Sequence, residues 1–438
     1  MFAGHDMKIP EFKNKNRMID AGKNVLIVIL MITAALLAVK SGLFSGRGAP
    51  NVLDGVLPFG QETPLSGENG IYTAAAAPFY IVVTPQKGAH CAVVYDGEAV
   101  RAAYSRFSAL LGQAIGSSGE PEAATDGEWK TALSGSGIYF DFLSDQPLSV
   151  LAGWLGTSVS GGAADHTARR ICIAADGSGV TLYYIRARYG TVYRCKTALS
   201  NTDISDNIAG YLPDGTAFNF ELASPFLMVD GNALITTGRL DIHSATAENP
   251  LNSTAGVDGL LSAFEMNSVL AEYVQLTDGT ELYVEGDATM RIEANGTVMY
   301  SDTGQQGQED VPTPAQAIEM ARALCQKTIG ADCGAASVYL SSIWKDSEAG
   351  EYQITFDYSL NGLPITFSDG SSAAELTLTG SGVTSAKMIL RKYRILDDSE
   401  NPLPAMQAAA VVQAMGGGEP VLSYTDDYGS VAVNWVVR

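Results

Sequence analysis

The sequence predicts an α+β protein, in which an N-terminal transmembrane helix precedes two or three extracellular domains of antiparallel sheets with helices packed on one face. Three observations support this prediction. An apolar run lies near the start of the chain, Asp-Gly and Asn-Gly dipeptides separate alternating runs in the remainder, and helical patterns there begin at proline and end at glycine. The length of 438 residues is enough for two or three domains.

The apolar run from Val25 to Phe44 is predicted to cross the membrane once, because a helix needs about 20 apolar residues to span the hydrocarbon. A cleaved signal peptide is the alternative. The long tail of residues 1–24 and the lack of an A-x-A cleavage site after the run favour an uncleaved anchor. Basic residues are denser before the run than after it, which places the tail in the cytoplasm. We therefore expect a single-pass protein of the cell membrane with an extracellular body.

One face of this helix is a candidate partner-binding site. Ala34 and Ala38 form a small-x-x-x-small pair, which allows a second helix to approach closely. Leu30, Leu37 and Ser41 lie on the same face at helical spacing. Such pairs are common in membrane helices, so an alanine pair that faces lipid is the simpler interpretation.

Charge is distributed unevenly along the chain. Residues 1–47 hold seven Lys/Arg and three Asp/Glu, a net charge of +4, and the remainder holds 20 (27−7) bases and 45 (48−3) acids, a net charge of −25. A surface this negative repels phosphate backbones. We therefore expect no binding of nucleic acid by the main body.

Composition and turn signals divide the chain beyond the helix. Residues 45–77 are rich in Gly, Pro, Ser and Asn and are predicted to be a linker. Three extracellular segments are expected to follow: an N-terminal α+β domain (78–200), a central β-rich domain (201–303) and a C-terminal α+β domain (304–438). Predicted helices run from Glu98 to Gly116, from Pro147 to Leu155, from Pro314 after the cap Thr313, and from Pro404 to Met415.

The five cysteines do not form the dense, even pattern of a disulfide scaffold. Most are expected to be small buried apolar residues. Two local bridges are compatible with the predicted elements, Cys325 with Cys333 or Cys172 with Cys195. The sequence leaves open the pairing of these four cysteines and of Cys91.

A search for catalytic and metal-binding motifs gives only weak matches. Ser342 to Lys345 fits S-x-x-K and Ser205 to Asn207 fits S-D-N, but their order is reversed and no K-T-G follows, so these are expected to be chance matches. His90, His166 and His243 lack the spacing of zinc ligands. The acidic runs at 397–400 and 426–427 lack the loop pattern of a calcium site, so solvated charge is the default. No catalytic residue, metal or cofactor is predicted.

Several segments resemble the YycH/YycI family, membrane-anchored regulators of the sensor kinase in an essential cell-wall two-component system of Gram-positive bacteria. The resemblance covers most of the chain and lies in Pro78–Val83, Trp129 followed by Gly137–Phe142, Pro147–Leu155, Asn295–Tyr300 and Phe356–Ile365. It implies a protein without catalytic residues that acts by contact, through its transmembrane helix and external domains. The implied partner is a sensor histidine kinase, with pairing to a second YycH/YycI-type protein left open.

Two other functions compete with this one. Trp129, Trp154, Trp344 and Trp435 suggest a cell-surface binding module for a wall polymer or peptide, although core packing is the simpler role for aromatic residues among apolar neighbours. An exported hydrolase would need convergent carboxylates in a solvated cleft, which sequence spacing does not report.

Overall fold

The computed structural model describes residues 75–438 except 160, 187–189, 252–253, 305–311, 347–349 and 381. The predicted anchor and its five partner-binding residues lie outside these residues, as does most of the predicted linker. Within the described ranges, no helix combines the length and the hydropathy that a membrane span requires.

The first part of this region builds a seven-stranded antiparallel sheet, which we call the first sheet. Its strands are β1 (Tyr80–Gln86), β2 (Ala89–Val93), β3 (Glu122–Ala124), β4 (Gly137–Pro147), β5 (Thr167–Asp176), β6 (Gly179–Arg186) and β7 (Thr191–Lys196). They follow the order β2-β1-β4-β5-β6-β7-β3. Both faces of β4 are buried, because its sequence begins as a nearly continuous apolar run rather than an alternation.

Helices cover both faces of the first sheet. They are α1 (Gly97–Gly116), α2 (Asp126–Ser134), α3 (Leu148–Trp154) and α4 (Asn201–Ile208). Tyr104 of α1 packs against Phe140, whereas Trp129 of α2 packs against Tyr139. Successive residues of a strand point to opposite faces, so α1 and α2 lie on opposite sides. The expectation of helices on one face is therefore wrong for this sheet, and the doubly buried β4 is the reason.

The second sheet has eleven strands. They are β11 (Glu272–Gln275), β12 (Glu281–Glu285), β13 (Ala288–Ile292), β14 (Thr297–Asp302), β15 (Ser337–Asp346), β16 (Glu351–Leu360), β17 (Leu363–Phe367), β18 (Ala374–Thr379), β19 (Gly382–Ile389), β21 (Pro420–Asp426) and β22 (Val431–Val437). The order is β11-β12-β13-β14-β19-β18-β16-β17-β21-β22, with β15 also paired to β16. All pairs are antiparallel except β17 with β21.

Smaller elements complete the fold. β8 (Ala217–Phe218) pairs with β9 (Leu234–Ile235), and β10 (Ile242–Glu248) pairs with β20 (Lys392–Glu400). The remaining helices are α5 (Thr254–Ala263), α6 (Pro314–Lys327) and α7 (Ala405–Ala414). α6 begins with the predicted capping box of Thr313 and Gln316, and it packs on the second sheet.

The described residues belong to one compact unit with a large apolar core and a small separate cluster that includes Val229 and Val412. The two sheets meet where Phe79 packs edge-on against Tyr339 and where the Gln146 side-chain amide of β4 donates to the Leu340 carbonyl of β15 at 3.1 Å. Their helices also meet, since the Trp154 indole of α3 donates to Glu319 Oε1 of α6 at 2.6 Å. β14 and β19 pair across the position expected to divide residues 303 and 304. The three domain boundaries remain predictions.

All five cysteines are free thiols, so neither proposed bridge is present. Cys172 and Cys195 lie on β5 and β7, which are separated by β6. Burial raises the pKa of the Cys172 thiol to about 12 and that of Cys195 to about 11. Both are therefore unreactive core residues at neutral pH, as expected for most of the set.

Candidate interaction surface

A set of charged side chains joins the centre of the first sheet to the segment that precedes β21. We call it the ionic joint, and its members are Asp141 of β4, Arg169 and Arg170 of β5, Asp230, and Glu419. Asp141, Arg170 and Glu419 are buried, and Arg169 and Asp230 are partly buried. Charged side chains in such positions require partners of opposite charge, because the removal of one ion from water costs several kcal/mol.

Asp141 is the acceptor at the centre of the joint. Arg169 Nε donates to its Oδ1 at 2.8 Å and Arg170 Nε to its Oδ2 at 3.2 Å. The backbone N–H of Leu143 also donates to Oδ1 at 2.8 Å, from a left-handed residue with φ +54° where the β4–β5 register is interrupted. Burial alone raises the pKa of Asp141, but the two guanidinium groups outweigh it and bring the value to about 2.

The same arginines bind the two acids that come from outside the first sheet. Arg169 Nη1 lies 2.7 Å from Glu419 Oε2, and Arg170 Nη2 lies 2.8 Å from Glu419 Oε1. Arg170 Nη1 donates to Asp230 Oδ2 at 2.9 Å. Burial raises the pKa of Asp230, but the Arg170 charge and an N–H from Asn232 outweigh it and lower the pKa overall. Two distant segments of the chain are thus fixed to one strand.

A run of three glycines allows Glu419 to reach the joint. Gly416, Gly417 and Gly418 all have positive φ, the region that side chains disfavour. A Cβ on Gly417 would overlap the carbonyl of Met228. The Gly418 N–H donates to that carbonyl at 3.0 Å, so the glycines hold the end of α7 against the loop 226–230.

These two segments carry an exposed apolar surface. Its members are Met406, Val411 and Met415 in and just after α7, and Leu227 and Met228 in the loop; we call it the α7 surface. Leu227 is 86% exposed and Met415 is 73% exposed. No charged residue occurs between Glu400 and Glu419. We take these exposed apolar side chains as the candidate interaction surface, because they cluster in two short segments that are in contact and no charged residue lies among those of α7.

Hydrogen bonds from a buried side chain and packing by α7 hold the loop 226–230 in its conformation. The side-chain amide of Asn219, which is 2% exposed, donates to the carbonyls of Phe226 and Val229 at 2.9 and 3.2 Å. Its oxygen accepts from the Phe226 N–H at 2.9 Å. The Ala409 and Val412 side chains of α7 pack on this loop's Val229. The surface is therefore preformed, which lowers the entropic cost of binding.

A second polar cluster has the residue types of a hydrolase triad. Thr84 Oγ1 lies 2.8 Å from His90 Nδ1, and His90 Nε2 lies 2.8 Å from Glu221 Oε2. Ser134 Oγ donates to the other Glu221 oxygen. Thr84 and His90 are only 3% and 2% exposed, so a substrate has no access to the hydroxyl. Burial raises the pKa of Glu221, but these hydrogen bonds lower it overall, and the cluster fastens β1 and β2 to residues 219–221.

Most of the weaker sequence candidates have structural roles. Ser342 lies within β15 beside Thr355, and Ser205 to Asn207 lie in α4. Asp426 is fully buried, where it accepts from the Tyr393 hydroxyl at 2.8 Å, so the expectation of solvated charge was wrong there. Among the described residues, no group of three His, Cys, Asp or Glu side chains is placed to hold a metal ion.

The four tryptophans do not form a single exposed group. Trp129 and Trp154 are buried, as core packing predicts, and Trp344 is 45% exposed. The wall-polymer alternative stays an untested prediction.

Sequence reasoning missed both the ionic joint and the α7 surface. The signal for the joint is Asp141, a single acid inside the apolar run of β4, together with the adjacent pair Arg169-Arg170. The signal for the surface is a helix without any charge, since a helix at the protein surface normally has a polar face.

No protein-family model matches the chain, and no curated protein matches it. Among solved structures, the crystal structure of YycH from Bacillus subtilis is similar, with a TM-score of 0.58 at 11% sequence identity. The match covers 83% of this chain and 95% of that one. The resemblance that the sequence motifs indicated is thus confirmed at the level of the fold, and the chain has the fold of YycH.

Proposed function

We propose that the chain is a non-enzymatic, membrane-anchored regulator of a sensor histidine kinase in a cell-wall two-component system. The observation that carries the proposal is the YycH-like fold, which spans 95% of the YycH structure. The family that this fold and the sequence motifs resemble acts by contact with a kinase. The buried hydroxyl–imidazole cluster offers no accessible nucleophile, which is compatible with a role by contact.

The α7 surface is the proposed contact site in the folded body. Leu227 and Met415 are long, flexible apolar side chains that lose unfavourable hydration when a partner covers them. Their two segments end in Asp230 and Glu419, and both acids bind Arg170. A partner that shifts either segment would therefore strain the ion pairs of Arg170 at the centre of the first sheet. These ion pairs couple the α7 surface to the first sheet.

The anchor from Val25 to Phe44 is the proposed second contact. It would hold the folded body outside the cell membrane, with residues 1–24 in the cytoplasm. The Ala34 and Ala38 face would pack against a transmembrane helix of the kinase. This arrangement places both contacts on one partner.

The proposal is tested with the tagged full chain purified from membranes of its native host. We expect one sensor histidine kinase to co-purify and its autophosphorylation rate to change when the chain is added. The double variant Val411→Gln, Met415→Gln should weaken co-purification, because two exposed apolar contacts become polar. Its thermal midpoint should match the wild type, since exposed substitutions change stability by less than about 0.5 kcal/mol.

Leu212→Gln is the matched control, because Leu212 is 77% exposed but lies outside the α7 surface. It should co-purify like the wild type. If no kinase co-purifies, or if addition of the chain leaves autophosphorylation unchanged, the proposed function is wrong. Equal recovery with the double variant and the wild type would remove the α7 surface alone.

A further inference from the structure

The second sheet ends in a strand with one free edge. In the part of the chain that the structure describes, β11 pairs with β12 alone and forms the end of the strand order. All four residues of β11 are exposed. Natural sheets protect such edges with Lys, Pro, bulges or covering elements, because an open edge is a template for another strand.

The pattern of hydrogen bonds between β11 and β12 shows which backbone groups of β11 face outward. The Leu276 N–H donates to the Thr280 carbonyl at 2.8 Å, so these residues form a hydrogen-bonded pair. In an antiparallel ladder such pairs alternate with non-bonded ones, which places the N–H and C=O groups of Tyr273 and Gln275 on the free edge. The rings of Tyr273 and Tyr283 are in contact, with centroids 5.1 Å apart and planes tilted by 43°, which agrees with a non-bonded pair at that position.

Apolar side chains along this edge are exposed on both faces of the sheet. Tyr273 is half-exposed on one face, and Val274 and Leu276 are exposed on the other. Val269 and Leu270, in the turn that leads into β11, are 87% and 70% exposed. An edge strand with unpaired backbone N–H and C=O groups and exposed apolar side chains has the properties of a strand-addition site.

Charge selects the kind of strand that fits. Residues 241–304, which include β11 and its neighbours β12 to β14, hold 11 Asp/Glu and a single basic residue, Arg291, a net charge of −10. Glu272 is exposed in β11 itself, and Asp278 and Glu281 follow in the turn and in β12. A second copy of this chain would bring equal negative charge to the edge and be repelled. A cationic strand would be attracted.

We propose that the free edge of β11 is a binding site for an extended segment of a partner protein in which basic and apolar residues alternate. The segment adds as a new edge strand, bonds to the Tyr273 and Gln275 backbone, and packs apolar side chains on Val274 and Leu276. Its basic side chains lie on the opposite face, which carries Tyr273 and Glu281. This site is separate from the α7 surface and does not depend on the kinase assignment.

The probe is an eight-residue peptide of alternating Lys and Val, titrated into the purified full chain in non-ionic detergent. Two control peptides have the same charge: one carries N-methyl groups on every second amide, which block strand pairing, and the other groups all lysines before all valines. We expect the alternating peptide to bind and to protect the Tyr273 and Gln275 amides from hydrogen exchange. The N-methylated peptide should bind at least about tenfold more weakly, since several backbone hydrogen bonds are lost.

Two variants separate backbone pairing from charge. Gln275→Pro removes an outward N–H while the bonds of β11 to β12 remain, because proline is tolerated on that side of an edge strand. This variant should bind the alternating peptide about tenfold more weakly. Glu272→Gln with Glu281→Gln should weaken it and reduce its salt dependence. The matched control, Glu98→Gln with Asp206→Asn, neutralises two exposed acids elsewhere and should bind like the wild type.

The proposal is overturned if the alternating peptide does not bind, or if it and the N-methylated peptide bind equally. Protection of amides outside β11 without protection of Tyr273 and Gln275 would also overturn it. If Gln275→Pro fails to fold, the charge variant and its control still decide, since equal affinity for both would rule out the edge. None of these results depends on kinase binding.

Discussion

The ionic joint and the α7 surface invert the usual distribution of side chains in opposite ways. The joint places Asp141, Arg170 and Glu419 in the interior, whereas α7 leaves Val411 and Met415 in water. The interior charges are tolerated because every acid has an arginine partner. The apolar surface has no partner among the described residues. The difference shows that the charges of the joint find their partners within the chain, whereas the α7 surface is suited to binding another molecule.

The two regions are nevertheless built as one unit. Glu419 follows the three glycines that end α7, and Asp230 follows the loop that carries Leu227 and Met228. The joint therefore positions the surface. The following substitutions separate stability, which the joint should control, from binding, which the surface should control.

The largest effect is expected for Asp141→Asn. The amide leaves Arg169 and Arg170 without their central anion, so the free energy of unfolding should fall by about 3–5 kcal/mol at pH 7. Chemical denaturation measures this change. The matched control is Asp126→Asn, whose carboxylate is 2.7 Å from Lys130 but 72% exposed, and it should cost less than about 1 kcal/mol. Equal losses in both variants would show that the joint contributes no more than a surface pair.

The second effect is a loss of stability in acid. Because the folded pKa of Asp141, about 2, is below its ordinary value of 3.8, the stabilisation is complete above about pH 5. It is lost as the pH falls through the folded value, by roughly 2 kcal/mol in total. Urea unfolding at several pH values between 5 and 2 tests this. Asp141→Asn should show a flatter profile over that range, and parallel profiles would contradict the assignment to Asp141.

The third effect, similar in size to the second, is expected for Gly417→Ala, which acts where the two regions meet. The substitution strains a residue with φ +103° and forces a Cβ against the Met228 carbonyl, so we expect a loss of about 1–3 kcal/mol. Gly370→Ala is the control, since Gly370 has φ +78° but open space around its Cβ position. The difference in thermal midpoint between the two variants measures the overlap alone. Equal thermal midpoints would mean that the loop 226–230 moves away from the new Cβ without loss of stability.

Local elements were predictable wherever the signal was local. The helix capped by Thr313 and the helix that ends before Gly416 occur as predicted, and the Asn361-Gly362 dipeptide forms a hairpin turn, the structure that Asn-Gly dipeptides predict. In that turn both central residues have positive φ, +48° and +81°, as an Asn-Gly hairpin requires. Capping, glycine stops and turn chemistry depend on neighbours in the sequence, so periodicity and spacing reveal them.

Long-range relations were not predictable in the same way. The helices on both faces of the first sheet, the parallel pairing of β17 with β21, and the burial of Asp426 all depend on contacts between distant segments. The acidic run at 426–427 shows the difference clearly, because its sequence suggests solvated charge and its position in β21 buries one of the two acids. A residue's burial is decided by what the rest of the chain places over it.

By itself, the sequence determined the α+β class, the negative charge, the position of most helices and turns, and the resemblance that the fold confirmed. It also predicts an anchor from Val25 to Phe44, which lies outside the described residues. Only the tertiary structure decided that Asp141, Asp230 and Glu419 meet at two arginines, and that α7 and β11 remain exposed. The physical reason is that pairing energy and exposure depend on distances across the fold, whereas propensity and hydropathy depend on residues that are neighbours along the chain.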